Sequence, residues 1–349
     1  MNHTFEFPAT RGLQAGRIFY TITAPISVLH RLITIDDRSG VMARSQRDVD
    51  RNRAKKVTEY VLKNPSSWVL PSLTGCIDEE PEFRGMMGSS SIGTLIIPMH
   101  SMIKLFDGQH RAVGLIDAST QDPSTRASCV NIQVYVGMTL EQRQQAFTDI
   151  NINAKAVSKG LSMAYDHRHQ ANRAIAEAVG NVASWRGRIE WQKAACSGAS
   201  ERLFPFKGIV EAFYIYTGTS AKVQPNASQI AEAVDFFSKV SHAAGWSDNE
   251  GAEGDEMKYY RETSITHHVV GLKALALYGY QARAAGLDVD EATNLLDPLK
   301  DEFERSNTAL WGNRCVDFEG RMKSNKDAII DTAKALVEKA GVPADGLAW

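Results

Sequence analysis

Phe106-Asp107-Gly108-Gln109-His110-Arg111-Ala112-Val113-Gly114-Leu115 is the stretch on which the reading of this chain turns. It follows a β-rich run from Thr94 to Leu105 and opens an apolar helical pattern over Arg111 to Ala118. A glycine turn that starts a helix leaves the first N–H groups unpaired and facing outward, which suits an anion such as phosphate. Arg111 adds a permanently charged fork for phosphate oxygens. Asp107 can accept from a ribose or help hold a metal, and His110 can donate to phosphate or move a proton. On spacing alone two readings stand: a nucleotide site, or a buried polar network that staples the turn.

Upstream, Arg17 to Thr23 reads as a strand on β-propensity, and Leu29 to Ile35 as a weaker one. Ser45 is placed to cap a helix with the apolar stripe Val49, Val57, Tyr60 and Val61, ended by Asn64-Pro65. Trp68 to Gly75 and Thr94 to Pro98 read as strands. Between them, Asp78 to Ser91 is a loop rich in Gly, Ser and acid. Cys129 to Val136 is a β-branched run ending at Gly137, and Thr139 caps a helix over Leu140 to Ile150. Helical periodicity dominates from there. Helices are predicted over Ile230–Val240, Thr266–Ala284, Asp290–Phe303 and Asp327–Lys339, with breaks at Pro205 and Gly208 and loops at Tyr216–Asn226 and Ser247–Asp255. The fold class is therefore α+β: an α/β N-terminal domain over residues 1–160 and a mainly α-helical one over 161–349.

A chain of 349 residues with 43% hydrophobic and 23% charged content is an ordinary globular protein. No apolar run approaches the length that spans a bilayer and no signal peptide opens the chain, so a cytoplasmic protein with no membrane partner is expected. The four cysteines form no C-x-x-C pair, which predicts neither a zinc site nor a disulfide framework. The net charge of −2 hides a pattern. Residues 1–60 hold ten Lys/Arg against six Asp/Glu, residues 61–150 six against nine, and residues 151–222 ten against five. Residues 223–349 hold thirteen against twenty-one, a net of −8. A nucleic-acid face is then expected on the first and third segments, since the acidic tail repels phosphate backbone.

Four further features stand out by residue type. The basic helix around Arg44, Arg51, Lys55 and Lys56 can line a DNA groove or a nucleotide pocket, although a charge run is usually a solvated face. Asn151, Asn153, Lys155 and Lys159 form a polar cluster on a turn entering a helix, suited to base edges and phosphates, or equally to capping. His167 and His169, like the tandem His267-His268, lack the spacing that converges on one ion, so no metal site is assigned and surface or interface histidines are expected. Trp185-Arg186-Gly187-Arg188 and Arg202 can stack on bases, or Trp185 can simply be core.

Asp107-Gly108-Gln109-His110-Arg111 also matches the signature of the DGQHR-domain family, distant relatives of the ParB/sulfiredoxin fold. With Arg44-Ser45-Gln46-Arg47-Asp48 and Phe147 to Ser158, the chain resembles the DndB regulators of DNA phosphorothioation gene clusters, over about Ser39 to Asp166. The resemblance implies a ParB/sulfiredoxin-like first domain and a DNA-binding transcriptional repressor of a DNA sulfur modification cluster. Its hold on double-stranded promoter DNA would respond to ATP, with or without Mg2+. Gln46, Arg47 and Asp107 to Arg111 (that is, Asp107, Gly108, Gln109, His110 and Arg111) would hold the nucleotide. The eight basic and Asn residues named above would meet DNA.

Asp107 and His110 would serve any slow, switch-resetting hydrolysis. Sulfiredoxin-like members carry a nucleophilic cysteine where this chain has Gln109, which removes reductase chemistry. No Walker-type loop is present, so a motor ATPase is not expected. The rival class is a metal-dependent DNA nickase of a defence system, with Asp107 and His110 as metal ligand and general base and Asp149 as a second carboxylate. A two-fold homo-oligomer is the usual solution for repressors.

Overall fold

A computed structural model describes residues 3–34, 49–86, 88–152, 158–166 and 168–343. The chain divides into two compact units, Met1–Lys155 and Ala156–Trp349. Among the described residues no helix is long and apolar enough to cross a membrane.

The first unit is built on one mixed sheet. Its elements in chain order are β1 (Thr4–Gln14), β2 (Arg17–Pro25), α1 (Leu29–Leu32), β3 (Ile33–Thr34), α2 (Arg51–Lys63), β4 (Leu73–Ile77), β5 (Glu82–Gly85) and β6 (Ile92–Pro98). They continue with β7 (Ile103–Asp107), α3 (Gln109–Gln121), β8 (Cys129–Val136) and α4 (Leu140–Ile152). The strand order is β3-β7-β4-β8-β2-β1-β6-β5. β4 pairs in parallel with β8 and antiparallel with β7, and as an interior strand it is buried at every residue. β1 and β2 close as a hairpin through Ala15 and Gly16, both at positive φ, the conformation a two-residue turn requires.

Strand periodicity sorts the side chains. Ile103 and Leu105 join Leu73, Ile132 and Val134 in the main core, under Val61 of α2 and Ala112, Leu115 and Ala118 of α3. Phe106 and Cys76 point to the other face, where they pack with Met138 and, from α4, Phe147.

α2 and α3 cross closely at Gly114, whose carbonyl accepts from Thr58 Oγ1 at 3.1 Å. A Cβ at Gly114 would sit 2.6 Å from Val57 Cβ and 2.7 Å from the Ala54 carbonyl oxygen. The second contact is backbone and has no rotamer to give way. Gly114→Ala gains helix propensity of about 1 kcal/mol against an overpacking cost of about 1–3 kcal/mol. A net loss of about 1 kcal/mol is therefore expected, read as a lower urea midpoint with an unchanged m-value.

The second unit is largely helical. It contains α5 (Lys159–Tyr165), α6 (Gln170–Ala178), a short parallel pair β9 (Ile189–Glu190) and β10 (Phe204–Pro205), α7 (Phe206–Thr217) and α8 (Ala227–Ala243). Then follow α9 (Gly254–Thr263), α10 (Val269–Ala284), α11 (Val289–Asn294), α12 (Thr308–Trp311) and α13 (Lys326–Ala340). α10 is apolar nearly all round and forms the centre, packed by α7 and α13. Trp185 is fully buried, with its ring 5.0 Å from Phe237 and 5.6 Å from Trp246, so it is core and no base-stacking residue. Arg188 is buried with it and donates to Asn249 Oδ1 at 2.6 Å.

Several expectations need correction. Leu29 to Ile35 does not run as a strand: Leu29–Leu32 is a helical turn, and only Ile33–Thr34 pairs, in parallel with β7. Trp68 to Ser72 stays outside the ladder, which starts at Leu73. The acidic loop holds an edge strand, β5, supported by its antiparallel partner β6. Gly208 lies inside α7 and does not break it; a Cβ there would stand 3.1 Å from Val269 Cγ1, so the glycine lets two helices approach. His267 and His268 are not surface residues, being buried and half-buried respectively. The helix start predicted at Ser45 lies outside the described residues.

Candidate functional site

The end of β7 delivers Asp107 and the start of α3 delivers the next four residues. Gly108 sits at φ +90°, ψ 10°, the left-handed region, and occupies the N-cap position with no side chain to satisfy the helix start. The first N–H bonded within α3 is that of Ala112, to the Gly108 carbonyl, so the N–H groups of Gln109, His110 and Arg111 are free of intrahelical partners. They open on a pocket of about 210 Å³ lined by Arg53, Val57, residues 107–111, Phe147 and Asn151.

Each side chain has a definite assignment. Arg111 Nη2 donates to Asp107 Oδ2 at 2.6 Å and to the Ser72 carbonyl at 3.1 Å, while its Nε is buried with no hydrogen-bond partner among the described residues. The ion pair is only partly exposed, which strengthens it against screening. Gln109 is 4% exposed, lines the pocket, and its amide makes no side-chain hydrogen bond among the described residues. His110 Nε2 accepts from the Asp50 N–H at 3.0 Å, which places the ring proton on Nδ1. Burial, followed by the nearby Arg53 charge, holds the His110 pKa below the usual histidine range. His110 is thus a neutral ring that ties α3 to the cap of α2, where Asp50 Oδ1 accepts from Asn52 and Arg53 N–H. Taking a proton at Nε2 would break that tie.

Of the nucleotide-site candidates, Asp107, Gly108, Gln109, His110 and Arg111 come together, and Asn151, read as a DNA contact, joins them. Its Nδ2 donates to the Phe147 carbonyl at 2.8 Å, leaving Oδ1 as acceptor. Arg51, Lys55 and Lys56 lie on the exposed side of α2, and Lys159 is exposed at the start of α5. Gln46, Arg47, Arg44, Asn153 and Lys155 lie outside the described residues.

Arg53 was missed. The signal was present in its i, i+4 relation to Val57, which packs on Gly114 and so aims that helix edge at α3. Asp149 accepts from Gln145 Nε2 at 2.7 Å and is not part of the pocket wall. Among the described residues no three His, Cys, Asp or Glu side chains gather as a metal would need.

Among the described residues the wall therefore offers helix-start N–H groups without intrahelical partners, two guanidinium groups, an amide with no side-chain hydrogen bond and one carboxylate already paired with Arg111. That donor set suits an anionic group carrying hydroxyls nearby. Its volume is below that of a typical whole-ligand pocket, so it is sized for one or two phosphate groups.

The chain matches no curated protein and no solved structure. Residues 7–343 match the DndB family, described as DNA-sulfur modification-associated. With nearly its whole length inside that match, the chain belongs to the DndB family of DNA-sulfur-modification-associated proteins.

Proposed function

We propose that the protein is a DNA-binding repressor of a DNA phosphorothioation cluster, released from its promoter by ATP held at the head of α3. Family membership supports the sulfur-modification setting. The observation that carries the nucleotide part is Gln109, a largely buried residue that lines the pocket with an amide making no side-chain hydrogen bond among the described residues, beside the helix-start N–H groups of α3. An amide left open to the pocket can donate to a bound phosphate oxygen, a hydrogen bond to a charged group worth about 1.5–3 kcal/mol.

Arg111, Gln109 and the α3 N–H groups would hold phosphate, and Asp107 Oδ1 would accept from ribose or water. The DGQHR and ParB/sulfiredoxin kinship, a two-fold dimer and a slow resetting hydrolysis belong to the same proposal. His110 serves in it by position, since its Nε2 is committed to Asp50. DNA would be met by the basic residues of the first 60 positions and of 151–222. For a switch to work, the chain must hold ATP more tightly in its DNA-free state than on DNA.

The test is fluorescence anisotropy of the upstream promoter duplex at fixed salt, with and without ATP. Wild type is expected to bind the promoter more tightly than unrelated DNA and to loosen with ATP. Arg111→Ala and Asp107→Ala are expected to keep DNA binding and lose at least about tenfold in ATP sensitivity, the scale of a charge-assisted contact. Equal affinity for unrelated DNA with no ATP effect would overturn the proposal.

A further inference from the structure

We infer that the second unit carries an anion site of its own, fitted to a small ligand bearing two or more linked phosphates. The inference stands apart from the pocket at the head of α3 and uses none of its residues.

The seat is a cavity of about 630 Å³ within the second unit, inside the range that small-molecule sites occupy. Its wall carries Lys207, Lys258, Arg261, Lys273, Arg305 and Lys323. The opposing carboxylates on that wall are Glu211 and Glu262, which leaves a net of +4. This excess lies largely within a tail, residues 223–349, whose own net charge is −8. A cation cluster against that background is not a random patch of basic surface.

Partner by partner, the positive charge stays in surplus. Glu211 is shared between Lys273 at 2.5 Å and Lys207 at 3.3 Å, so one carboxylate serves two ammonium groups. Glu262 stands 3.8 Å from Lys258, a loose surface pair. Arg261, Arg305 and Lys323 meet only carbonyl oxygens among the described residues: those of Gly198, Ser200 and Arg202, of Gly320, and of Asn313. Carbonyls orient these side chains without cancelling their charge.

The backbone adds to this. α7 begins at the wall with Lys207 and Gly208, and α10 begins there with Val269 and Val270. Neither cap residue, Pro205 nor His268, supplies a side-chain cap. The first intrahelical N–H of α10 to be bonded is that of Leu272, so among the described residues the N–H groups of Val269 and Val270 have no intrahelical partner where they line the cavity. Two uncapped helix starts and a surplus of cations thus converge on one volume.

A double helix is the poorer occupant, because the acidic remainder of the tail repels an extended phosphate backbone while a small anion enters the cavity. A single phosphate, carrying about −2, would leave about half of the surplus charge unanswered.

The test is calorimetric titration of inorganic pyrophosphate into the full-length Arg111→Ala chain at low ionic strength, where the other pocket is disabled. Gln109→Leu provides a second background if Arg111→Ala misfolds. One pyrophosphate site is expected to remain in either background. Adding Lys207→Ala with Lys258→Ala, both half-exposed, is expected to weaken it at least about tenfold, and Lys273→Gln to do likewise. Absence of pyrophosphate binding in both backgrounds would overturn the inference, as would binding indifferent to the lysine changes. Inorganic phosphate binding as tightly as pyrophosphate would refute the linked-phosphate class. Loss of duplex affinity in the lysine variants, with pyrophosphate inert, would assign these lysines to DNA instead.

Discussion

Gly108→Ala is expected to destabilise the first unit by roughly 2–5 kcal/mol, the sum of left-handed strain and overpacking. The backbone there holds φ +90°, which an L side chain rarely adopts. A Cβ would also fall 2.7 Å from Leu73 Cδ2 and 2.9 Å from Arg111 Nη2. Leu73 is fully buried in β4 and has little room to move. Arg111 would be driven off the Asp107 carboxylate and the Ser72 carbonyl that now fix it. Stability and ligand response should therefore fail together. Gly108→Asn separates the two causes, because Asn tolerates positive φ but still carries the clashing Cβ. It is expected to recover part of the stability and none of the ATP response. Urea unfolding of both variants, with anisotropy under native conditions, reads out the difference. A Gly108→Ala chain as stable as wild type would contradict the geometry of the turn.

The second large effect is an acid transition in the second unit. His267 is 3% exposed, and burial pushes its pKa down to about 3, helped by the charges of His268, Arg261 and Arg188. Its surroundings explain why the neutral ring is required. Arg188 Nη1 donates to Asn249 Oδ1 at 2.6 Å, which turns the Asn249 amide group so that Nδ2 donates to His267 Nε2. Thr266 Oγ1 donates to the Ala244 carbonyl at 2.7 Å and so accepts from His267 Nδ1–H at 3.3 Å. A proton added to Nε2 would face the Asn249 donor with Arg188 just behind it.

The unfolded chain protonates this histidine near pH 6.5, while the folded one resists to about pH 3. In that interval the unfolded state binds more protons, so stability is whole above about pH 6.5 and falls as pH drops. Over the full interval the loss is roughly 5 kcal/mol, a large part of a typical domain's stability. His268, also held below the usual range by burial, adds in the same direction. His267→Leu is expected to flatten the pH slope of urea stability between about 6.5 and 4 while lowering the plateau by about 1–3 kcal/mol, since Asn249 loses its acceptor. An unchanged slope in that variant would assign the acid transition elsewhere.

What was readable in the sequence and what was not divides along physical lines. β8 was read at Cys129–Val136 as it stands, and the α3 and α13 helices within a few residues, because β-branched runs and 3.6-residue periods are local signals. β5 was missed because Glu82-Phe83-Arg84-Gly85 has no strand pattern of its own and is held by β6 alone. Leu29–Leu32 was read as extended on β-propensity, and tertiary context made it a turn of helix.

At the candidate site, the motif at 107–111 was visible in the sequence, as was the polar Asn151. Arg53 was not, because only the close crossing at Gly114 brings α2 to the same pocket. The burial of His267 left no local trace either. It depends on Arg188, Asn249 and Thr266, which are scattered along the chain.

The most direct measurement of the central claim is Gln109→Leu, assayed for melting temperature and for the ATP concentration that releases half the promoter DNA. Leucine replaces a largely buried residue, whose amide makes no side-chain hydrogen bond among the described residues, with an apolar group of similar size, which should leave Tm unchanged or raised. If the amide is kept for a ligand, the ATP needed for release should rise at least about tenfold despite the sound fold. A lower Tm with an unaltered ATP response would show instead that the motif only staples the turn, and that the nucleotide switch does not reside at the head of α3.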